Sequence, residues 1–177
     1  PISTGTAVAW GRAEGVTIEA VALDLADQPD LFTLPGLTPH QPADWRSYVR
    51  GMASQMAQNG VDPGGLKLAI AGSNPRGAGL SSSASLCIAL GRAISAAADL
   101  SLSAQELAKA AQLTEHKWAG VQCGIMDQMA VAAGESGHAL LLDCRDLTNR
   151  QVAMPSDWAV AIIQSGVTRG LVDGHYN

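Results

Sequence analysis

The sequence has few charged residues, and its positive charges are not gathered into a basic region. Lys, Arg, Asp and Glu make up 15% of the 177 residues, and the formal net charge is −5. Nucleic-acid-binding domains carry a basic patch that neutralises phosphates, so we expect no nucleic-acid partner. Apolar residues make up 47%, which is enough for a sizeable core and argues against disorder.

Long apolar runs and paired cysteines are also missing. No stretch reaches the roughly 18 uninterrupted apolar residues of a membrane span, and the first residues do not resemble a signal sequence. Cys87, Cys123 and Cys144 are odd in number and form no CxxC pair, which indicates a reducing compartment. The four histidines show neither HxxxH nor HxH spacing, so a zinc site has little support. We expect a cytoplasmic protein that makes no membrane contact.

The first 60 residues show two strand patterns, a proline-rich loop and a helix. Residues 6–12 and 16–23 alternate apolar residues and predict two strands joined by a turn, and four prolines predict a surface loop over residues 27–42. A 3.6-residue period then predicts a helix that begins at Asp44. Trp45 and Tyr48 could stack on an adenine ring, but aromatic residues at helical spacing belong more often to a core, and we interpret them as structural.

The stretch SNPRGAGLSSSASLCIALG, residues 73–91, organises the chain. It follows a predicted strand at residues 66–71, and it passes from a glycine loop through three serines into an apolar helix. Glycines let backbone N–H groups approach an anion, serines can cap the helix, and aligned peptide dipoles favour negative charge at its start. The pattern predicts either a phosphate site or a helix that merely begins at a glycine turn. No Lys stands where a Walker A loop would place it.

Two carboxylates occupy unexpected positions further along the chain. Ser103 and Glu106 form a capping box for a helix that runs to about Ala119, and Glu115 falls on its stripe of small apolar residues. It could still be a surface residue paired with a neighbouring lysine. Asp127 stands in the otherwise apolar CGIMDQMAVAAG, where a carboxylate is costly to bury. It is either a functional group or a cap at the start of a helix, since Asp favours first turns.

Two apolar runs near the end have the length of buried strands. HALLLDC at residues 138–144 and WAVAII at residues 158–163 predict central strands of one sheet.

PRGAGLSSSAS resembles the second signature of the GHMP kinases, and the order of motifs across the chain is similar to that of the galactokinases within this family. The other matching segments are TEHKWAGVQCGIMDQ, GHALLLDCR and QSGVTRGLVDGHYN. The resemblance implies an α/β (α+β) fold, the GHMP kinase N-terminal domain with a mixed sheet covered by helices. It implies this ATP- and Mg²⁺-binding domain over residues 1–155, with its end and the start of a second domain over residues 156–177.

The resemblance also implies an activity and a site. ATP would phosphorylate the C1 hydroxyl of galactose, with Ser83 and Glu115 as Mg²⁺ ligands and Asp127 accepting the hydroxyl proton or orienting the hydroxyl. Gly124 and Tyr176 would contact the sugar. The ATP phosphates would be wrapped by the loop residues Pro75, Gly77, Ala78, Gly79, Leu80, Ser81, Ser82 and Ser83.

Three alternatives remain open at this point. The first is another sugar kinase of the family, such as an N-acetylgalactosamine kinase, whose substrate differs from galactose at C2. A second alternative is a non-catalytic sensor of galactose and ATP. The sensors of this family carry a deletion within the serine-rich signature, whereas Ser83-Ala84 is intact here, which disfavours a sensor. The family's catalytic Arg belongs to a first signature that matches no segment here, so we expect a part of a longer polypeptide whose remainder completes the site. Residues 1–177 alone are then expected to be inactive.

Overall fold

Six strands and four α-helices form in the part of the chain that the computed structural model describes, residues 2, 4–25, 28–34, 36–74 and 79–163. A π-helical turn, Glu115–Ala119, continues the third helix. The strands are β1 (Thr6–Ala13), β2 (Ile18–Ala22), β3 (Asp30–Phe32), β4 (Gly65–Gly72), β5 (His138–Leu142) and β6 (Asn149–Ala153). The helices are α1 (Trp45–Gln58), α2 (Ser82–Ala97), α3 (Ala104–Thr114) and α4 (Met126–Ala133).

A mixed four-stranded sheet has the spatial order β1-β4-β2-β3. β4 is antiparallel to β1, with Thr6 opposite Gly72, and parallel to β2, with Ile18 opposite Leu66. The two strands predicted near the N-terminus therefore exist, but β4 lies between them. A turn pattern specifies that the chain reverses direction, and it does not require the two flanking strands to be neighbours.

The proline-rich segment contains the edge strand β3, which the sequence pattern did not predict. Its three residues are too few to show an alternation among the surrounding prolines. The strand is held by Asp30, which is buried and accepts hydrogen bonds from Arg50 of α1, Nε to Oδ2 at 2.8 Å and Nη2 to Oδ1 at 2.5 Å. Long-range pairing with β2 and α1, rather than local sequence, forms this strand.

The helices cover one face of the sheet, and the core lies between the two layers. α2 packs on β1 and α1, and α3 packs on α2 and α4. On the opposite face, Glu19 and Lys67 form a partly exposed ion pair at 3.5 Å. The largest fully buried apolar side chains come from both layers: Ile18, Val49, Met52, Met56, Val61, Leu66, Leu68, Leu90, Ile94 and Met129. This architecture confirms the predicted mixed α/β fold.

Of the two central strands predicted near the end of the chain, the first forms as β5, but its central position and the second strand are wrong. In the described part of the chain, β5 pairs with β6 alone, in a separate antiparallel pair, and Leu140 and Leu142 pack on the core. Residues 158–163 form no strand, and the Ile163 side chain is 88% exposed. Apolar residues favour burial, but a strand also needs a partner for its backbone groups, and the described residues offer none here. The boundary between residues 155 and 156 stays a prediction. Among the described residues, no helix has the length and apolar character needed to cross a membrane.

Candidate active site

The N-terminus of α2 is the first component of the site. β4 ends at Gly72, and the chain returns to α2 through Gly79, whose φ of +71° is accessible to glycine. The predicted order of strand, glycine loop and buried helix is confirmed over the described residues. Ala84, Cys87, Gly91 and Ile94 form the buried stripe that fixes the helix against the core.

Ser81 precedes α2 in a left-handed conformation, with φ 54° and ψ 39°. Its carbonyl accepts the first helical bond, from the Ser85 N–H at 2.9 Å, but its side chain makes no capping hydrogen bond. The expectation that the serines cap the helix is therefore wrong for Ser81. Because no side chain caps α2 within the described residues, its first-turn N–H groups can be directed at an anion.

Glu115 is the second component, and it is buried beside the start of α2. Glu115 is only 2% exposed to solvent. The Ser83 hydroxyl donates to Glu115 Oε2 at 3.1 Å, and the Gln128 amide Nε2 donates to Oε1 at 2.7 Å. No Lys or Arg in the described ranges forms an ion pair with it, so the surface-pair interpretation is wrong.

The backbone at Glu115 leaves the regular α-helix. The Gly120 N–H bonds to the Glu115 carbonyl, five residues back, and Gly120 has φ 74°. The helix therefore reaches Ala119 as predicted, but its last turn is π-helical, a feature that is frequent at functional sites. The last turn of α3, which contains Thr114, packs closely on Gly51 of α1. A Cβ on Gly51 would lie only 2.6 Å from Thr114 Cγ2.

Burial raises the pKa of the Glu115 carboxyl, hydrogen bonds from Gln128 and Ser83 oppose that rise, and the charge of Asp127 adds to it. A nearby cation would offset this cost. The Ser83 hydroxyl and the Glu115 carboxylate are hard oxygen donors, as Mg²⁺ prefers. Within the described ranges no group of three or more His, Cys, Asp and Glu could hold a metal. The pair therefore fits an ion that takes its other ligands from water and phosphate.

Asp127 lies in the first turn of α4 and is half-buried. The N-cap position belongs to Ile125 and carries no side-chain capping bond, so the interpretation of Asp127 as a cap is wrong. The chain neighbour of Asp127, Gln128, donates to Glu115 Oε1, and the charge of Asp127 adds to the rise of the Glu115 pKa.

Gly124 is exposed in the segment that precedes α4. It follows Cys123, whose Sγ accepts a hydrogen bond from the same Gln128 amide. The structure thus brings Ser83 and Glu115 into direct contact and places Asp127 next to Gln128, which binds Glu115.

A cavity of about 500 Å³ opens beside the start of α2. Trp45 and Tyr48 of α1 line it from one side, and Ser82 and Ser83 line it from another. Burial, followed by the Glu115 charge, raises the pKa of Tyr48. Both aromatic residues also pack on the core, as predicted. The lining is mainly apolar but includes the acidic residues Asp24 and Asp44. A mainly apolar cavity with a few polar groups is suited to a small ligand with an aromatic ring.

The sequence profile described as GHMP kinases N terminal domain matches residues 47–135, half of the chain. The chain belongs to the GHMP kinase family. The matched range contains the start of α2, Glu115 and Asp127, so the region described above is the GHMP kinase part of the molecule.

Solved structures of other GHMP kinases share the fold. The Lactococcus lactis galactokinase, solved with galactose, is 31% identical with a TM-score of 0.80, over 86% of this chain and 40% of that one. The Methanococcus jannaschii mevalonate kinase is 22% identical with a TM-score of 0.62, over 71% of this chain and 40% of that one. A D-glycero-D-manno-heptose 1-phosphate kinase from Bacteriodes thetaiotaomicron is 19% identical with a TM-score of 0.63, over 82% of this chain and 46% of that one. The chain thus spans about two fifths of these kinases.

Several predicted site residues of this GHMP kinase domain cannot be placed. Pro75, Gly77, Ala78 and Tyr176 lie outside the described residues. Of the other loop residues, Gly79 is exposed, and Leu80, Ser81, Ser82 and Ser83 are half-buried at the start of α2.

Sequence reasoning assigned no role to Gln128 and gave Trp45 and Tyr48 only a structural one. Gln128 bonds Glu115 directly, and the two aromatic residues line the cavity. Gln128 did carry a signal, because it is a polar residue in an apolar segment. The aromatic residues carried none, because helical spacing is the same for a residue that faces the core and for one that also borders a cavity.

Proposed function

We propose that the protein is an ATP-dependent sugar kinase that phosphorylates the C1 hydroxyl of galactose, and that residues 1–155 form its ATP- and Mg²⁺-binding domain. The observation that supports this most directly is the contact between Ser83 Oγ and Glu115 Oε2 at the start of α2, beside the cavity. Residues 156–177 would begin a second domain.

The start of α2 is proposed to bind the ATP phosphates. Phosphoryl transfer requires mainly that the reactants are positioned and that charge is neutralised. The loop from Pro75 to Ser83 would wrap the phosphates with backbone N–H groups, and the dipole of α2 would favour their charge. Ser83 and Glu115 would hold Mg²⁺, which when bound neutralises charge on the transferred group.

The cavity is proposed to take the adenine ring. Its aromatic residues, Trp45 and Tyr48, offer surfaces for stacking, and Ile70 and Leu86 add apolar surface. Asp24 and Asp44 also line the cavity and could accept hydrogen bonds from the base or ribose. Ser82 and Ser83 stand at the end of the cavity where α2 begins. A nucleotide lying with its base in the cavity would therefore direct its phosphates to the donors of the helix.

The sugar is proposed to bind near the start of α4. Asp127 would accept the proton of the C1 hydroxyl, or orient that hydroxyl for attack on the γ-phosphoryl group. Gly124 and Tyr176 would contact the sugar. The choice of galactose is supported by the 31% identity to a galactokinase solved with galactose. The catalytic Arg expected from the family is not assigned to any residue of this chain.

A coupled ADP-release assay tests the proposal. The protein is expressed from its full open reading frame and supplied with Mg²⁺, ATP and one of galactose, N-acetylgalactosamine, glucose or mevalonate. We expect ADP release with galactose well above the other acceptors, and galactose 1-phosphate as the product. Higher turnover with N-acetylgalactosamine than with galactose would identify N-acetylgalactosamine as the preferred substrate. Binding of galactose and ATP without turnover would indicate a sensor and contradict the proposed reaction.

A further inference from the structure

Gln128 is a buried amide that contacts the proposed metal ligand but has no role in the function proposed above. It lies on α4 and is 1% exposed. Its Nε2 donates to Glu115 Oε1 at 2.7 Å and contacts Cys123 Sγ at 3.3 Å. Its Oε1 is buried and has no hydrogen-bond partner among the described residues.

An amide at this buried position lowers the stability of the fold. A buried polar atom without a partner costs stability, and an apolar residue of similar size, such as Met, would avoid that cost. The contacts that Met could not supply are the short hydrogen bond to Glu115 and the longer one to Cys123 Sγ. The amide orientation is also determined by the contact with Glu115, because the reverse orientation would place the amide oxygen against a carboxylate oxygen.

The two bonds at Glu115 act on different atoms of the carboxylate. Ser83 binds Oε2 from α2, and Gln128 binds Oε1 from α4. Rotation of a carboxylate about its last side-chain bond is otherwise broad. A donor on each oxygen fixes the plane of the group. The Cys123 thiol also hydrogen-bonds the carboxylate, but a thiol is a weak donor, so the plane would be held less firmly without Gln128.

We propose that Gln128 is a positioning residue, which orients the Glu115 carboxylate so that Glu115 and Ser83 can bind Mg²⁺ together. This inference rests on the proposed function, in which those two residues hold the metal. Partners that orient a metal ligand typically change metal affinity by about 10- to 100-fold when they are replaced.

Isothermal titration of the protein from its full open reading frame tests the inference. The non-hydrolysable ATP analogue AMP-PNP is titrated once with Mg²⁺ and once with EDTA, and the ratio of the two Kd values gives the gain in affinity due to the metal. We expect Gln128→Met to reduce this gain about 10-fold. The Kd for AMP-PNP in EDTA and the Kd for galactose should change by less than about twofold, because neither depends on the carboxylate plane.

Gln151→Met is a matched control. Gln151 is a partly buried amide whose Nε2 donates to the Ala133 carbonyl at the end of α4, and its Oε1 is also unpartnered. It makes no contact with Glu115, so we expect the metal-dependent gain to be unchanged. Equal effects of the two substitutions, or a parallel loss of AMP-PNP affinity with and without Mg²⁺, would overturn the positioning role.

A double-mutant cycle with Glu115→Ala separates this inference from the proposed function. If Gln128 acts through Glu115, then Gln128→Met has no further effect on the metal-dependent gain once Glu115 is removed. If Glu115→Ala reduces the gain and Gln128→Met does not, only the inference fails. If Glu115→Ala leaves the gain unchanged, the proposed metal site itself fails.

Circular dichroism and a thermal melt establish that each variant folds. If Gln128→Met does not fold, Gln128→Asn replaces it, since this side chain stays polar but is one methylene too short to reach Glu115. The same loss of about 10-fold is expected for Gln128→Asn, and an unchanged metal-dependent gain would contradict the inference.

Discussion

At the scale of the residue, Glu115 shows how a cost in stability accompanies a proposed function. The carboxylate is removed from water, and burial raises its pKa. Two hydrogen bonds only partly compensate for lost hydration of a charge. Within the described part of the chain, no cation completes the compensation. Such a group is retained where its charge is used, and this is the physical basis for assigning it to Mg²⁺.

We expect Glu115→Gln to raise the Tm at neutral pH when divalent cations are removed with EDTA. Glutamine can accept from Gln128 with its oxygen and donate its NH2 to the Ser83 hydroxyl oxygen, which reverses the second bond, and it carries no charge to desolvate. Because the folded-state pKa lies above the unfolded value of about 4.3, the fold loses stability as pH rises from the unfolded to the folded pKa. The advantage of the variant should therefore be full at neutral pH and vanish at acid pH, below the unfolded pKa.

Thermal melts of the variant and of the unsubstituted protein across this pH range measure the difference in Tm. A gain of about 1 kcal/mol in the free energy of unfolding should raise the Tm by about 2–4 °C. The exposed Glu14→Gln is the control and should leave the Tm unchanged at every pH. A Tm for Glu115→Gln equal to or below that of the unsubstituted protein at neutral pH would show that the carboxylate is stably accommodated without a metal.

Asp127→Asn is expected to lower kcat by at least about two decades, the usual contribution of a positioned base. Asparagine keeps the size of the side chain, but it cannot accept the hydroxyl proton. The Kd for ATP should change little, because the proposed contact is with the sugar. Steady-state kinetics with galactose and titration with ATP measure the two quantities. Turnover close to that of the unsubstituted enzyme would remove Asp127 from the reaction.

At the scale of the element, the π-helical turn depends on close packing with α1. The Cβ of an alanine at position 51 would lie 2.6 Å from Thr114 Cγ2 and 2.7 Å from Trp118 Cγ. Both neighbours are buried and flank Glu115. The absence of a side chain at Gly51 therefore allows α1 to approach the segment that holds the proposed metal ligand.

We expect Gly51→Ala to lower the Tm by a few degrees. Alanine in a helix interior is normally favoured over glycine by about 0.5–1 kcal/mol. Overpacking of a core typically costs about 1–3 kcal/mol, which outweighs that gain. Gly11→Ala in β1 is the control, because its Cβ would meet no atom within 4 Å. A Tm for Gly51→Ala at or above the unsubstituted value would show that α1 moves away without cost.

At the scale of the whole molecule, a group of large apolar side chains is exposed after β6. Trp158, Val160, Ile162 and Ile163 range from 56% to 88% exposure. Contiguous apolar surface of this kind marks an interaction site or an aggregation liability. The structure thus combines a packed α/β core with an uncovered apolar segment.

We expect purified residues 1–177 to self-associate through this segment. Light scattering after size-exclusion chromatography measures the mass, and Trp158→Ser with Ile163→Ser should shift it toward the monomer. Leu31→Ser is the control, because Leu31 is 61% exposed on β3, outside the segment. A monomer at all concentrations, or an equal shift with Leu31→Ser, would contradict the expectation.

Residues 1–177 alone are also expected to transfer no phosphoryl group to galactose. Rate enhancement in phosphoryl transfer depends on holding both reactants in line and excluding water. The chain spans about two fifths of the galactokinase that it resembles in structure, so a large part of that enzyme has no counterpart in it. Galactose-dependent ADP release from these purified residues would show that they suffice.

Local patterns predicted most of the helices and the position of the proposed site. The capping box at Ser103 and the cap at Asp44 are present, since both depend on neighbouring residues alone. Glu115 and Asp127 were recognised because charge in an apolar pattern is visible in a sequence. The order of the strands, β3 and the pairing of β5 were not predicted, since each depends on contacts between distant segments.

The sequence by itself determined the mixed α/β class, the glycine loop before a buried helix and the chemical types of the proposed ligands. The glycine loop and the buried helix follow from residue type and the helical period, which are local properties, whereas the fold class and the ligand roles follow from the resemblance of the motifs to those of the GHMP kinases. Only the tertiary structure decided that Ser83, Glu115 and Gln128 meet in one hydrogen-bonded group, that Trp45 and Tyr48 border a cavity, and that residues 158–163 stay exposed. Such contacts arise from the packing of segments far apart in the chain, and no local pattern encodes which segments meet.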